Sequence, residues 1–467
     1  MIVMTDYSHD LPIFWRDHGD KAAYEAARTR VFSTKLPDRY PTAVVRPRTD
    51  NHVVDSIRLA AKLGVRVAIR SGGHSWAFWS IRQDAVLIDL VDYKHVEYDE
   101  ATRIVKTTTS VTSSEMTAFM TERGRFIPTG HCAGVGLGGF MLQGGMGHNS
   151  RSYGYMCEYL IGLDVATTNG EIQHCDELEN SDLFWAARGC GPGFPGVVLR
   201  FYFKTRPAPK VYKRNVYVYP ISHYEEVMRW MVSVIPSISK DIEIAATSVI
   251  PRGQDSRILF VQSTVWADSE EDARSKLSPL IDTHPAGAVF SEDCGDTTFQ
   301  QEYEEAEKAV WAENHRYIAD TVWLGQDIDM VSVCKEAFMD IPDCGVAFWE
   351  PMNPLSRKSR PSGDMALSIT TDYYIALYAI YPDSKDDAVN EAWVKKYMAT
   401  LTPYAVGTYL GDHDIQMRET KYWSDEAGKR LMAIRKKWDP EGRICGYLDK
   451  GDKSGRDGLP NRLRQQF

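Results

Sequence analysis

No stretch of this 467-residue chain approaches the ~18 consecutive apolar residues that a membrane span requires, so no membrane-spanning helix is expected. Positive charge is also short. The chain has 54 Lys and Arg against 64 Asp and Glu, a formal balance of −10 and the wrong sign for a surface that condenses on phosphate backbones. Nucleic acid and membrane are therefore not expected as partners. Cysteine is sparse: eight residues, at positions 132, 157, 175, 190, 294, 334, 344 and 445, are too few and too scattered for a disulfide scaffold, and most are expected as free thiols. The start, Met1-Ile2-Val3-Met4-Thr5-Asp6, lacks a basic segment followed by an apolar one, so an intracellular protein is expected, although a mature secreted chain given a new initiator Met would read the same. Internal repeats, low-complexity tracts and long flexible linkers are missing too. What remains is ordinary for a folded enzyme, with 43% apolar and 25% charged residues. At roughly 150 residues per domain the length suggests two or three domains.

From Thr42 to about Arg206 helix and strand patterns alternate. Asp50 can cap a helix carrying Val53, Val54, Ile57, Ala60 and Ala61 on one face, with Gly64 as its left-handed stop. Val65, Val67 and Ile69 then alternate as in a strand that breaks at Ser71-Gly72-Gly73-His74-Ser75. Asn169-Gly170 reads as a hairpin turn between residues 160–168 and 171–174. After Pro207 and Pro209, β-rich runs at 242–250, 257–267 and 370–381 alternate with amphipathic helices at 270–281 and 300–313, the pattern of a second domain on a mostly antiparallel sheet. A last helix spans residues 426–438, with Leu431, Ile434 and Trp438 on its apolar face.

Two glycine-rich loops carry the chemistry. One runs from Arg70 to Trp76, and the other holds eight glycines between Gly130 and Gly147. Glycines at that density cost chain entropy, and their usual use is close backbone approach with N–H groups turned toward an anion, as a phosphate-bearing cofactor would supply. Gly134, Gly136 and Gly139 spell a formal G-x-G-x-x-G, with Glu158 in place for a ribose, so a nicotinamide-dependent dehydrogenase is an alternative. Its context is wrong: residues 126–130 make a poor strand, and the stretch after them is too rich in glycine for a helix. His131, Cys132, His148, Cys157, His174 and Cys175 match no zinc-ligand spacing, so no metal is expected. A Cys/His acyl-transfer pair would leave the glycines unexplained.

The run Pro41–Thr49, the helix to Gly64 and Val67-Ala68-Ile69-Arg70-Ser71-Gly72-Gly73-His74-Ser75 resemble the FAD domain of the vanillyl-alcohol-oxidase/p-cresol-methylhydroxylase (PCMH) flavoproteins. The G-x-C-x-x-V-G-x-G-G run around Cys132, Gly145-Met146-Gly147, Arg151-Ser152-Tyr153-Gly154, residues 182–189 and Phe194-Pro195-Gly196-Val197-Val198 are similar to berberine-bridge-enzyme-like oxidases within that superfamily. The likeness is carried mostly by residues 40–205. It implies an α+β chain: a two-subdomain PCMH-type FAD-binding domain at 1–206, a substrate domain with a mostly antiparallel sheet covered by helices at 207–415, and a C-terminal segment at 416–467 returning to the FAD domain.

The resemblance further implies FAD bonded through its 8α-methyl to His74 and through ring carbon C6 to Cys132. Arg70, Ser71, Gly72, Gly73, Ser75, Gly136, Gly138, Gly139, Gly144, Gly145, Gly196 and Val197 are implied as further cofactor-binding positions. Val135 falls where a small side chain leaves room for dioxygen, which favours an oxidase over a dehydrogenase. The family's tyrosine base, commonly in an N-Y-x-D segment, falls on Tyr409, but here the segment reads Thr408-Tyr409-Leu410-Gly411-Asp412. A free phenol, with a pKa near ~10, is a poor base without help. Glu350 is a second candidate base.

The aromatic residues Trp311, Trp323, Phe348, Trp349 and Tyr374 point to a substrate wall, with Trp349 and Tyr374 the candidate contacts. Alternation along 371–381 puts Tyr374 and Tyr378 on one face and Tyr373, Ile375, Leu377 and Tyr381 on the other, the second being the expected core. The expected reaction is oxidation of a hydroxyl-bearing small molecule, carbohydrate or natural-product alcohol, with O2 reduced to H2O2. A flavin dehydrogenase or an oxidative cyclase is the alternative. A monomer or small homo-oligomer is expected.

Overall fold

A computed structural model describes residues 10–309, 314–352, 363–449, 452 and 458–463. The end of the helix expected at 300–313, with Trp311, lies outside the described residues; the helix itself runs Phe299–Ala309.

The N-terminal half holds two main sheets and a two-stranded pairing of Arg125–Phe126 with Arg206–Pro207. The first orders Ile13–Trp15, Ala43–Val45, Val86–Asp89 and Val67–Arg70, with the last three strands parallel. Parallel strands are buried on both faces, and Ala43, Val44, Val45, Val67 and Ala68 are fully enclosed. Between the second and last of these strands lies the helix Asp50–Leu63, stopped by Gly64 at φ +68°. Its cap is Thr49, one residue earlier than expected: the Thr49 hydroxyl accepts the His52 N–H at 3.2 Å, which frees Asp50 to bind the Tyr93 hydroxyl and Arg200. The second sheet is antiparallel, in the order Val96–Asp99, Ile104–Thr108, Val197–Lys204, Leu160–Ala166 and Ile172–Cys175, with the expected hairpin turning at Gly170, φ +80°.

The rest builds on one eight-stranded sheet, antiparallel at every pairing. Its order is Phe290–Asp296, Val211–Pro220, Ile258–Ala267, Ile242–Val249, Gly345–Pro351, Tyr373–Tyr381, Arg316–Leu324 and Ala405–Gly407. Helices Tyr224–Val234, Glu270–Ile281, Met330–Met339 and Asp387–Leu401 bury their apolar stripes on one face. Tyr373, Ile375, Leu377 and Tyr381 fill that core, as their alternation predicts. The other face looks back at the glycine loops.

Near its C-terminus the chain returns to the first half: helix Asp425–Trp438 packs on Ser181–Ala187, and Val67 exchanges backbone hydrogen bonds with Arg443 and Cys445 at 2.8 and 2.9 Å. None of the eight cysteines is in a disulfide. Among the described residues no helix is long and apolar enough to cross a membrane.

Candidate active site

The two glycine loops meet backbone to backbone. A Cβ on Gly72 would stand 2.3 Å from the Gly136 nitrogen, and one on Gly136 would stand 2.4 Å from the Gly72 nitrogen. No side chain fits there, which is the physical reason for glycine at both positions. The second loop docks on the start of helix Ser113–Thr121 through Ser113 N–H to Val135 O (2.9 Å) and Ser114 N–H to Ala133 O (3.1 Å). Contrary to the sequence reading, its glycine-rich continuation does form a helix, Leu137–Leu142. Leu137 and Met141 anchor it in the core, and a Cβ on Gly138 would lie 2.8 Å from Ser71 Oγ, so packing overrides the glycine penalty.

Between these loops and the free face of the large sheet lies a cavity of about 440 Å³. His74 and Cys132 both face it, with Arg70, Ser71, Gly72, Gly73 and Ser75 from the first loop and Val135, Gly136, Gly138 and Gly139 from the second. Gly196, Glu350, Tyr374 and Tyr409 line it as well. Five expected residues do not, and one of them, Trp323, is buried behind Tyr374 with ring centroids 5.1 Å apart. Val197 is fully buried between the sheets, and its neighbour Val198 takes the cavity side. Trp349 packs on Tyr373 in the helix-covered core, because adjacent strand residues point to opposite faces and Glu350 is the one registered beside Tyr374. Gly144 and Gly145, at φ +109° and +76°, make the turn after the short helix.

His74 stacks on Phe32 at 5.2 Å, and burial together with the Arg30 charge lowers its pKa to about 4, leaving a neutral imidazole. Burial and the Asp412 carboxylate push the Cys132 thiol well up. The Tyr409 hydroxyl accepts the Met146 N–H at 3.1 Å and lies beside the Gly145 amide; burial and Asp412 nonetheless raise its pKa. Asp412 was visible only as a displaced motif residue. It accepts from Tyr374 (2.8 Å), Trp76 (3.3 Å) and Tyr378 (3.4 Å), and burial raises it despite those donors. Glu350 is buried with no hydrogen-bond partner for Oε1 among the described residues, and burial with the Glu243 charge raises it to about 8. Glu243 escaped the sequence reading; the available signal was a lone carboxylate alternating with Ile242 and Ile244.

Thr408, the asparagine substitute, turns away from the cavity. Its hydroxyl meets Thr321 O, Thr420 and Arg418, and Arg418 is held by Asp320 at 2.7 and 2.9 Å, with His413 Nδ1 at 2.8 Å from the same carboxylate. This buried cluster pegs the segment carrying Tyr409 and Asp412. Burial would raise the Asp320 pKa, but Arg418 and His413 outweigh it and hold it far below the usual range. A depressed carboxyl stabilises above its unfolded value near ~3.9, and that contribution is lost as pH falls below it. Asp320→Asn is expected to cost about 3–5 kcal/mol at neutral pH and to flatten the acid limb of melting temperature against pH, read by calorimetry.

A dinucleotide flavin suits this cradle. Two loops approach closely enough to admit only glycine, and Thr109 Oγ1, on the cavity wall, is buried without a hydrogen-bond partner among the described residues. Residues 41–176 match the family model described as FAD binding domain, and 410–442 the one described as berberine and berberine like. The FAD-linked oxidoreductase nodO of Hypoxylon pulicicidum is 42% identical over 442 residues, 94% of this chain and 98% of that protein. The chain belongs to the berberine-bridge-like FAD-linked oxidoreductases. Its cofactor is FAD, and the PCMH-type fold is shared with oxidases across nearly the whole length. The carbohydrate oxidase of Microdochium nivale superposes with a TM-score of 0.79 at 21% identity, covering 98% of each chain. The glucooligosaccharide oxidase of Acremonium strictum, whose FAD is described as 6-S-cysteinyl, 8α-N1-histidyl, gives 0.79 at 16%, again covering 98% of each chain.

Proposed function

We propose that this FAD-linked oxidoreductase is an oxidase whose flavin is bonded to both His74 and Cys132 and which oxidises a hydroxyl-bearing small molecule, a carbohydrate or a natural-product alcohol. The supporting observation is that an imidazole and a thiol from loops distant in sequence face one cavity across the Gly72–Gly136 contact. The doubly attached FAD of the A. strictum enzyme supports the same reading. In the net reaction the alcohol loses the hydrogens of its O–H and C–H bonds with two electrons, a C=O bond forms, and O2 takes up both electrons and two protons as H2O2. FAD held in the cavity supplies the two-electron acceptor that passes those electrons to O2.

The protein's part is attachment, orientation and proton handling. Neutral His74, braced by Phe32, has a nitrogen lone pair for the flavin methyl, and Cys132 offers sulfur from the facing loop. Tyr409 takes the substrate hydroxyl proton, with the Met146 and Gly145 amides favouring its phenolate, and Glu350 is the alternative acceptor. Tyr374, fixed through Asp412, forms part of the substrate wall.

Acid-precipitated protein is expected to stay yellow and to fluoresce on a denaturing gel. His74→Ala and Cys132→Ala should each leave one attachment, found by mass spectrometry on the other residue's peptide; a colourless wild-type pellet overturns the double linkage. A peroxide-release screen over sugars, alcohols and phenolics identifies the substrate.

A further inference from the structure

Where the second glycine loop meets the large sheet, His131, His148 and Glu243 bring one ligand atom each to within 4.8 Å of one another. His131 Nε2 lies 2.9 Å from Glu243 Oε1, and the two imidazole centroids are 4.2 Å apart. Glu243 Oε2 accepts the backbone N–H of Asn149, next to His148, so the carboxylate is tied to the same turn. His148 is only 1% exposed, yet neither ring nitrogen has a hydrogen-bond partner among the described residues; Glu302 Oε2 stands 3.9 Å from Nδ1. Burying an imidazole without a partner for either nitrogen is costly, and a lone pair directed at a cation supplies one of the two missing partners.

We propose that His131, His148 and Glu243 form a binding site for a divalent transition metal ion of the zinc class, with its remaining coordination position open to the cavity. Two imidazole nitrogens and one carboxylate oxygen are a donor set for zinc and its neighbours, whereas magnesium and calcium favour oxygen alone. His131 and Glu243 line the cavity and His148 sits behind them, so the protein ligands occupy one side of the site. A tetrahedral site with bonds of ~2.0–2.1 Å puts ligand atoms about 3.3 Å apart, so the widest separation has to close by at most about 1.5 Å while the 2.9 Å His131–Glu243 pair opens slightly. Two further carboxylates stand nearby: Glu302 Oε2 is 3.9 Å from His148 Nδ1, and Glu350 lines the same cavity wall. Sequence spacing hid the set because Glu243 comes from the strand Ile242–Val249 and the two histidines flank the helix Leu137–Leu142.

The proposal is independent of how the flavin is attached, because its test reads the metal. Flavin-loaded protein, dialysed against a chelator and titrated with Zn2+ alone, is expected to bind one equivalent per chain by calorimetry and elemental analysis. His148→Gln and Glu243→Gln should each weaken binding about tenfold or more, and Zn2+ should raise the melting temperature of the wild type alone. His174→Gln, removing a half-exposed histidine paired with Asp164, should bind as the wild type does. If His148→Gln fails to accumulate, Glu243→Gln reads the same site. Wild-type protein that takes up no Zn2+, undiminished affinity in the site variants, or loss of binding in His174→Gln each overturns the site.

Discussion

Tyr409→Phe is expected to slow reduction of the bound flavin by about 10²–10⁴-fold while the protein stays yellow, measured by anaerobic stopped-flow mixing with substrate. The phenol has no competing structural task of comparable weight. Its hydroxyl accepts one backbone N–H, from Met146 at 3.1 Å, and its ring meets Tyr374 edge-on at 6.3 Å. Phenylalanine keeps the ring and removes the oxygen. The raised pKa leaves Tyr409 mostly as the phenol at neutral pH, so the proton is taken by its small phenolate fraction, which the Met146 and Gly145 amides favour against burial. Unchanged reduction kinetics would transfer the role to Glu350, the other candidate acceptor on the cavity wall.

Gly136→Ala should abolish stoichiometric flavin incorporation. The residue sits at φ −72°, which alanine adopts freely, so the substitution isolates the contact between the loops from backbone strain. The added methyl would collide with Gly72, 2.4 Å from its nitrogen and 2.7 Å from its Cα, and backbone atoms cannot rotate aside. Separating the loops is expected to cost about 1–3 kcal/mol or more. It should also pull His74 and Cys132 out of register on the same ring. Absorbance per polypeptide and the melting temperature report both effects, and a fully loaded, equally stable variant would refute the account of the contact.

The elements with strong periodicity were legible in the sequence. The alternation of 371–381 assigned Tyr374 and Tyr378 to the cavity and their neighbours to the core, and Gly64 and Gly170 marked their stops correctly. Trp349 is the exception: its bulk and aromaticity suit a cavity wall, but its parity relative to Glu350 puts it on the core face. The helix over Leu137–Leu142 was missed because propensity is local, whereas Leu137 and Met141 gain their burial from chain remote in sequence. Asp412 and Glu243 needed tertiary structure: one motif is displaced by a residue, and the other belongs to a strand whose facing loop begins more than a hundred residues earlier.

The large sheet keeps two separate accounts along the same strands. Odd and even positions of Ile242–Val249, Ile258–Ala267 and Gly345–Pro351 answer to different neighbours, so Ala245, Thr247, Gln262, Val346 and Phe348 can be exchanged with little disturbance of the helix-packed side. Selectivity in such an enzyme can drift by single substitutions at alternate sites, while the flavin cradle, built where backbones touch, has almost no room to change.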